Sequence, residues 1–171
     1  SQNGPFSAIA DINGDGLEDL FVGGAKDQSG VLYIQNSLGK FSKNSSQPWR
    51  TDKESEDLGC LFFDADGDSD LDLYVASGGN EFKQGDVALL DRLYINDGNG
   101  NFRKSISALP QIKESTQTVK ASDIDKDGDL DLFVGTRLIS GQYTFPADSY
   151  LLLNVDGKFI KASSEMAPAL Q

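Results

Sequence analysis

Apolar residues come in short runs closed by clusters of Gly, Asn and Asp, and no stretch sustains a helical period. One set of runs lies at 6–10, 60–63 and 118–122. A second, apolar without alternation, lies at 20–22, 71–76 and 130–134. A third lies at 31–35, 92–96 and 150–153, and a fourth starts at Phe41, Phe102 and Phe159. Runs of this length, rich in Leu, Val, Ile, Phe and Tyr, predict strands, four to a unit. The Asx-Gly turns before Phe102 and Phe159 predict hairpins. The Leu-Phe-Val or Leu-Tyr-Val triplet of the second run is apolar on both faces, which predicts a strand sandwiched between neighbouring sheets. The expected fold is all-β: three four-stranded antiparallel blades of a β-propeller, at 1–49, 50–109 and 110–171. Three blades do not close a ring of about four to eight. The chain is therefore expected to be a segment of a larger propeller, starting and stopping in phase with the blades, or to self-associate through open blade faces.

The repeat is visible in the polar positions too. Asp11-Ile-Asn-Gly-Asp-Gly-Leu-Glu-Asp19 recurs as Asp64-Ala-Asp-Gly-Asp-Ser-Asp-Leu-Asp72 and as Asp123-Ile-Asp-Lys-Asp-Gly-Asp-Leu-Asp131. Each copy is followed by an Asx and a Gly-x-Phe: Asn36 to Phe41, Asp97 to Phe102 and Asn154 to Phe159. These two motifs are read as aligning without gaps. All extra length in the second and third copies then falls into insertions at 77–90 and 135–149. Those insertions carry Phe82, Lys83, Arg137, Tyr143 and Phe145. They, with Trp49 in the segment joining the first two units, are candidate contacts for a protein or glycan ligand.

The acidic loops carry the chemistry. Numbering each from its first Asp, side-chain oxygens stand at one, three, five and nine. These are Asp11, Asn13, Asp15 and Asp19; Asp64, Asp66, Asp68 and Asp72; and Asp123, Asp125, Asp127 and Asp131. A loop that curls on itself turns alternate positions inward, and the carbonyl at seven (Leu17, Asp70, Asp129) can complete the ring. Such a set suits Ca²⁺, which takes six to eight oxygens in flexible geometry, better than Mg²⁺, which demands an octahedron and keeps its waters. An EF-hand would need a Glu at position twelve, where Val22, Val75 and Val134 stand instead. Loop one has Asn13 in place of an Asp, and Leu17-Glu18 where the other copies have Asp-Leu, so it is expected to bind most weakly.

Charge now takes on a location. There are 27 acids against 15 bases, a formal net charge of -12, and 14 of the acids fall in the three loops. An acidic chain repels phosphate backbones and anionic lipid, so no nucleic-acid partner is expected. No run is long enough to span a membrane as a helix, so no membrane insertion is expected either. With no histidine, Ser-His-Asp, Cys-His and His-metal catalysis are excluded within the chain. Acids outside the loops, such as Glu54, Glu56, Glu81, Glu114 and Glu165, form no recognisable catalytic pair, so an enzyme is not expected. The single cysteine, Cys60, lies in an apolar run and reads as a small buried hydrophobe.

These residues resemble the FG-GAP/VCBS repeat family, whose loop reads Asp-x-[Asp/Asn]-x-Asp-Gly-x-x-Asp-Leu and recurs in the integrin α-chain propeller. The Tyr-x-Asn and Gly-x-Phe hairpin is most similar to the ASPIC/UnbV and cartilage-acidic-protein branch. Copy two departs from the pattern at Ser69, where the family has Gly. The resemblance implies three structural Ca²⁺ sites, with ligands bound on the face opposite the acidic loops. It further implies a secreted, cell-surface or periplasmic protein, bacterial in origin. The function expected is a calcium-stabilised, non-enzymatic module for protein or glycan binding and adhesion. The alternative is an accessory propeller region of a larger secreted carbohydrate-active enzyme.

Overall fold

The computed structural model describes residues 6–138, 147–162 and 166. Twelve strands form three antiparallel sheets, each in plain sequence order. The first sheet holds β1 (Ser7–Ala10), β2 (Asp19–Val22), β3 (Val31–Gln35) and β4 (Phe41–Asn44). The second holds β5 (Glu56–Phe63), β6 (Asp72–Gly78), β7 (Arg92–Asn96) and β8 (Phe102–Ser105). The third holds β9 (Ser115–Ser122), β10 (Asp131–Leu138), β11 (Tyr150–Val155) and β12 (Lys158–Lys161). Neighbouring sheets meet face to face, with β1 against β5 and β5 against β9. The protein is all-β, in propeller-like blades, and among the described residues the sheets do not close into a ring.

Two apolar seams hold the blades together. Phe21 and Leu32 of blade one meet Leu73, Val75, Tyr94 and Phe102 of blade two. Tyr74, Leu93 and Ile95, on the other face of blade two, meet Val119, Leu132, Leu152 and Phe159 of blade three. The middle triplet Leu73-Tyr74-Val75 is thus buried on both sides, as its composition predicts. Trp49 fills the first seam from the 3-10 turn Pro48–Thr51, edge-on to Phe21 at 5.2 Å and to Tyr94 at 5.4 Å. It is 2% exposed and so is a core residue, not a ligand contact. Cys60, expected to be buried, is only half-buried; it packs against the same seam, and burial pushes its thiol up to about 12.

Three details depart from the sequence reading. First, β5 begins at Glu56 and β6 runs to Gly78, so Ser77 and Gly78 are strand and not insertion. β10 similarly runs to Leu138, past the expected start of the second insertion. Close packing explains the extension: a Cβ on Gly78 would lie 2.5 Å from Leu58 and 2.8 Å from the Thr116 carbonyl. Glycine there lets β6 pass against blade three. Second, Phe82, the one insertion aromatic among the described residues, is not exposed. Phe82 is buried, with the Lys26 ammonium 5.2 Å from its ring centroid, because the insertion folds back on its own and the neighbouring blade. Lys83 and Arg137 are exposed, while Tyr143 and Phe145 lie outside the described residues.

Third, the hairpins do not align as read. Phe41 pairs with Gln35, Phe102 with Asn96 and Phe159 with Asn154. The equivalents of Asn154 are therefore Gln35 and Asn96, one residue before Asn36 and Asp97. The hairpin of blade three is a residue shorter, turning on Asp156 and Gly157, both at positive φ (52° and 76°) as a two-residue hairpin requires. Asn36 and Asp97 instead brace longer loops, accepting from the amides of Leu38 and Lys40 and of Asn99 and Asn101.

Candidate metal centres

Each acidic loop joins the first and second strands of its blade. Its last aspartate is already the first residue of the second strand and is fully buried: Asp19, Asp72 and Asp131 are all 0% exposed. Each one does the same structural job. One carboxylate oxygen accepts from the amide at loop position two, in Ile12, Ala65 and Ile124. The other accepts from an amide of the third strand, in Gln35, Asn96 and Asn154. The residue thus ties the loop to the sheet, and each oxygen keeps a lone pair for another partner.

The rest of each loop curls around that strut. Positions four and six are left-handed in all three: Gly14 and Gly16, Gly67 and Ser69, Lys126 and Gly128, with φ between 67° and 105°. Ser69 keeps the curl at φ 75°, as Gly16 does at 81°, so the departure costs strain and not shape. The position-five carboxylate caps the position-seven amide each time: Leu17 to Asp15 at 2.9 Å, Asp70 to Asp68 at 2.9 Å, Asp129 to Asp127 at 3.0 Å.

In loops two and three this geometry gathers carboxylates. Asp64, Asp66 and Asp72 bring one oxygen each within 4.8 Å of one another, and so do Asp123, Asp125 and Asp131. Positions one, three and nine therefore converge as expected. Asp68 and Asp127, expected in the same set, lie within side-chain hydrogen-bonding reach of Asp66 and Asp125 while also accepting from their own loop backbone. Loop one carries Asn13 at position three, so no third carboxylate stands there beside Asp11 and Asp19. Asn13 donates to Asp15 at 3.2 Å, and Asp11 accepts from the amides of Asp15 and Gly16.

The donor set fits a hard divalent cation. Burial, reinforced by Asp66 and Asp68, pushes the Asp72 carboxyl up to about 7 despite two backbone hydrogen bonds. Asp66 and Asp125 are also raised, first by desolvation and then by their acidic neighbours. Carboxylates this close favour protonation unless a positive charge sits among them. All-oxygen donors on a flexible loop match Ca²⁺.

The opposite end of blade two carries a different site, which no motif announced. A groove of about 560 Å³ is lined by residues from three separated segments, 51–55, 87–92 and 104–111. Val87, Leu90, Ile106 and Leu109 make its apolar part, and Asp52, Glu54, Arg92 and Lys104 its charged part. Its floor is rigid. Arg92 pairs with buried Asp57 at 2.5 Å, and Asp52 accepts from both Tyr94 and Lys104. Asp91 accepts from Tyr74, Ser77 and Thr116, yet burial still pushes its carboxyl up to about 6.

Repeated four-stranded blades, each with an aspartate-strutted acidic loop between its first two strands, define a protein of propeller-like, acidic-loop blades. The FG-GAP-like repeat model matches residues 11–75 and again 64–134, each window running from one acidic loop through the triplet after the next. The chain belongs to the FG-GAP-like repeat family. Repeats of this family often bind calcium and are typically extracellular adhesion or binding modules. No match is found among curated proteins. No helix among the described residues is long and apolar enough to cross a membrane.

Proposed function

We propose that the chain is a calcium-stabilised, non-enzymatic binding module acting outside the cytoplasm, with Ca²⁺ in its acidic loops and a protein or glycan ligand in the groove at the opposite end. The observation that carries the metal half is the convergence of three carboxylates in loop two and again in loop three on a fully buried aspartate. Positions one, three, five and nine, with the carbonyls of Leu17, Asp70 and Asp129, are the residues that would hold the ions. The role is structural: a bound ion neutralises the loop and fixes the strut that joins it to the third strand. Three ions would bring the formal charge from -12 to -6.

The groove supports the binding half. Its apolar rim beside fixed charges offers both contact area and orientation, as ligand sites commonly do. Thermal unfolding with Ca²⁺ and with EDTA tests the first half, and a clear drop in melting temperature on chelation is expected. A glycan and protein array probed with the unmutated chain and with Ile106→Asp tests the second. Signals lost in the variant support it, and signals that survive place the ligand elsewhere.

A further inference from the structure

From loop one we infer that Asn13 is a self-modification site: the Gly14 amide attacks its side chain, and deamidation supplies the carboxylate that position three lacks.

Such a reaction at an Asn-Gly pair is helped by an unengaged glycine amide, a polarised carboxamide carbon and an acceptor that holds the departing nitrogen. Loop one offers all of these. In loops two and three the position-one aspartate fixes the position-four amide, of Gly67 at 2.8 Å and of Lys126 at 2.7 Å. In loop one Asp11 instead accepts from the amides of Asp15 and Gly16, at 3.1 and 2.8 Å. The Gly14 amide is thereby left without a hydrogen-bond acceptor among the described residues, at an exposed position.

The Asn13 carboxamide is held at both ends. Its Oδ1 accepts from the Asp15 amide at 3.1 Å, which draws electrons from the carbon under attack. Its Nδ2 donates to the Asp15 carboxylate at 3.2 Å, which orients the nitrogen that leaves. The approach is open, since a Cβ built on Gly14 would meet no atom within 4 Å.

The atoms balance with water as the only co-reactant. The Gly14 nitrogen bonds to Cγ of Asn13, the Cγ–Nδ2 bond breaks, and ammonia leaves with the amide proton. Water then opens the succinimide ring, and nothing is oxidised or reduced. Opening at Cγ restores the normal backbone with an aspartate side chain. Opening at the main-chain carbonyl routes the backbone through the side chain as isoaspartate. The aspartate product gives loop one the acid that Asp66 and Asp125 supply in the other loops. Its consequence for cation binding rests on the calcium reading proposed above, whereas the modification itself does not.

A second Asn-Gly pair is an internal control. Gly100 is buried, and its amide donates to Asn96 at 3.1 Å. Asn99 turns its Nδ2 to the Asp97 carbonyl at 3.0 Å. A hydrogen bond that must first be broken slows attack by about tenfold.

Peptide mapping by mass spectrometry tests this on the unmutated chain, incubated in mildly alkaline buffer with EDTA. A gain of about 1 Da at Asn13, at least about tenfold faster than at Asn99, is expected. In strong denaturant the two rates should converge. Asn13→Gln, which would have to close a larger ring, should stay unchanged at that position. Calorimetric titration of the aspartate form, separated from isoaspartate, should show the loop-one Ca²⁺ site tightened toward the other two. Equal rates at Asn13 and Asn99 in the folded chain overturn the inference. So does a preference that persists in denaturant, because it would belong to the sequence and not to the fold. Deamidation at Asn13 with no change in Ca²⁺ binding supports the modification and refutes the calcium reading of loop one.

Discussion

Loops two and three differ from loop one in what they ask of their surroundings, although the backbone is the same in all. Each has the left-handed turns at four and six and the buried aspartate at nine. Loops two and three bring three carboxylates together, whereas loop one has the neutral Asn13 at position three. In loop one the Asn13 amide already donates to Asp15, so the loop satisfies part of its own charge internally. Position nine thus builds the fold, and position three decides whether a third carboxylate joins the cluster.

The largest test of that separation removes the strut. Asp72→Ala leaves the amides of Ala65 and Asn96 without their acceptor inside the protein. At 1–3 kcal/mol for each orphaned group, a loss of about 3 kcal/mol is expected by denaturant unfolding, even in EDTA. Asp19→Ala should cost about as much, because Asp19 makes the same two bonds. A strut that mattered only in loops two and three would break the comparison.

A carboxylate outside the loops serves as control. Burial raises Asp91 from 3.8 to about 6. A carboxyl raised on folding contributes stability below its unfolded value that is lost as pH rises through its folded one. The unmutated chain should therefore lose about 2 kcal/mol relative to Asp91→Asn between pH 4 and 7. Because Asp91 lies in the groove, that difference should be the same with and without Ca²⁺. Chemical denaturation of both proteins across that range reads it directly.

Smaller effects follow at position three. At ~1 mM Ca²⁺ and Kd of ~10⁻⁴–10⁻³ M, each occupied site adds about 0.4–1.4 kcal/mol. Asp66→Ala and Asp125→Ala should each remove one such increment while leaving stability in EDTA nearly unchanged. Asn13→Asp should add one, tightening loop one by roughly tenfold. The smallest effect concerns the turn. Ser69→Gly relieves a left-handed serine and should stabilise the chain by up to about 1 kcal/mol, with or without metal.

The blades and the acidic loops were legible because both rest on short-range patterns. Alternation of Gly and Asp sets the curl, and the Leu-Phe-Val triplet marks the sandwiched strand. The hairpin offset was not legible. A one-residue shortening at Asp156-Gly157 leaves the spacing of Asx to Phe unchanged and moves only the strand pairing. Nor did the sequence mark Trp49 as core or Phe82 as buried, since both fates depend on a neighbouring blade. The groove draws on three distant segments and on ion pairs such as Arg92 with Asp57, 35 positions apart, so no local motif announces it. Position five shows what spacing alone leaves out. Asp68 and Asp127 close the loop backbone and also lie within hydrogen-bonding reach of the Asp66 and Asp125 carboxyls, a double role that only the folded loop reveals.

Calorimetric titration of the unmutated chain with Ca²⁺ tests the central claim most directly. Two equivalents should bind with Kd of about 10⁻⁴–10⁻³ M and a third more weakly. Asp66→Ala and Asp125→Ala should each abolish one of the tighter two. No binding up to about 10 mM, or a tightest site that disappears with Asp15→Ala in loop one, would contradict it.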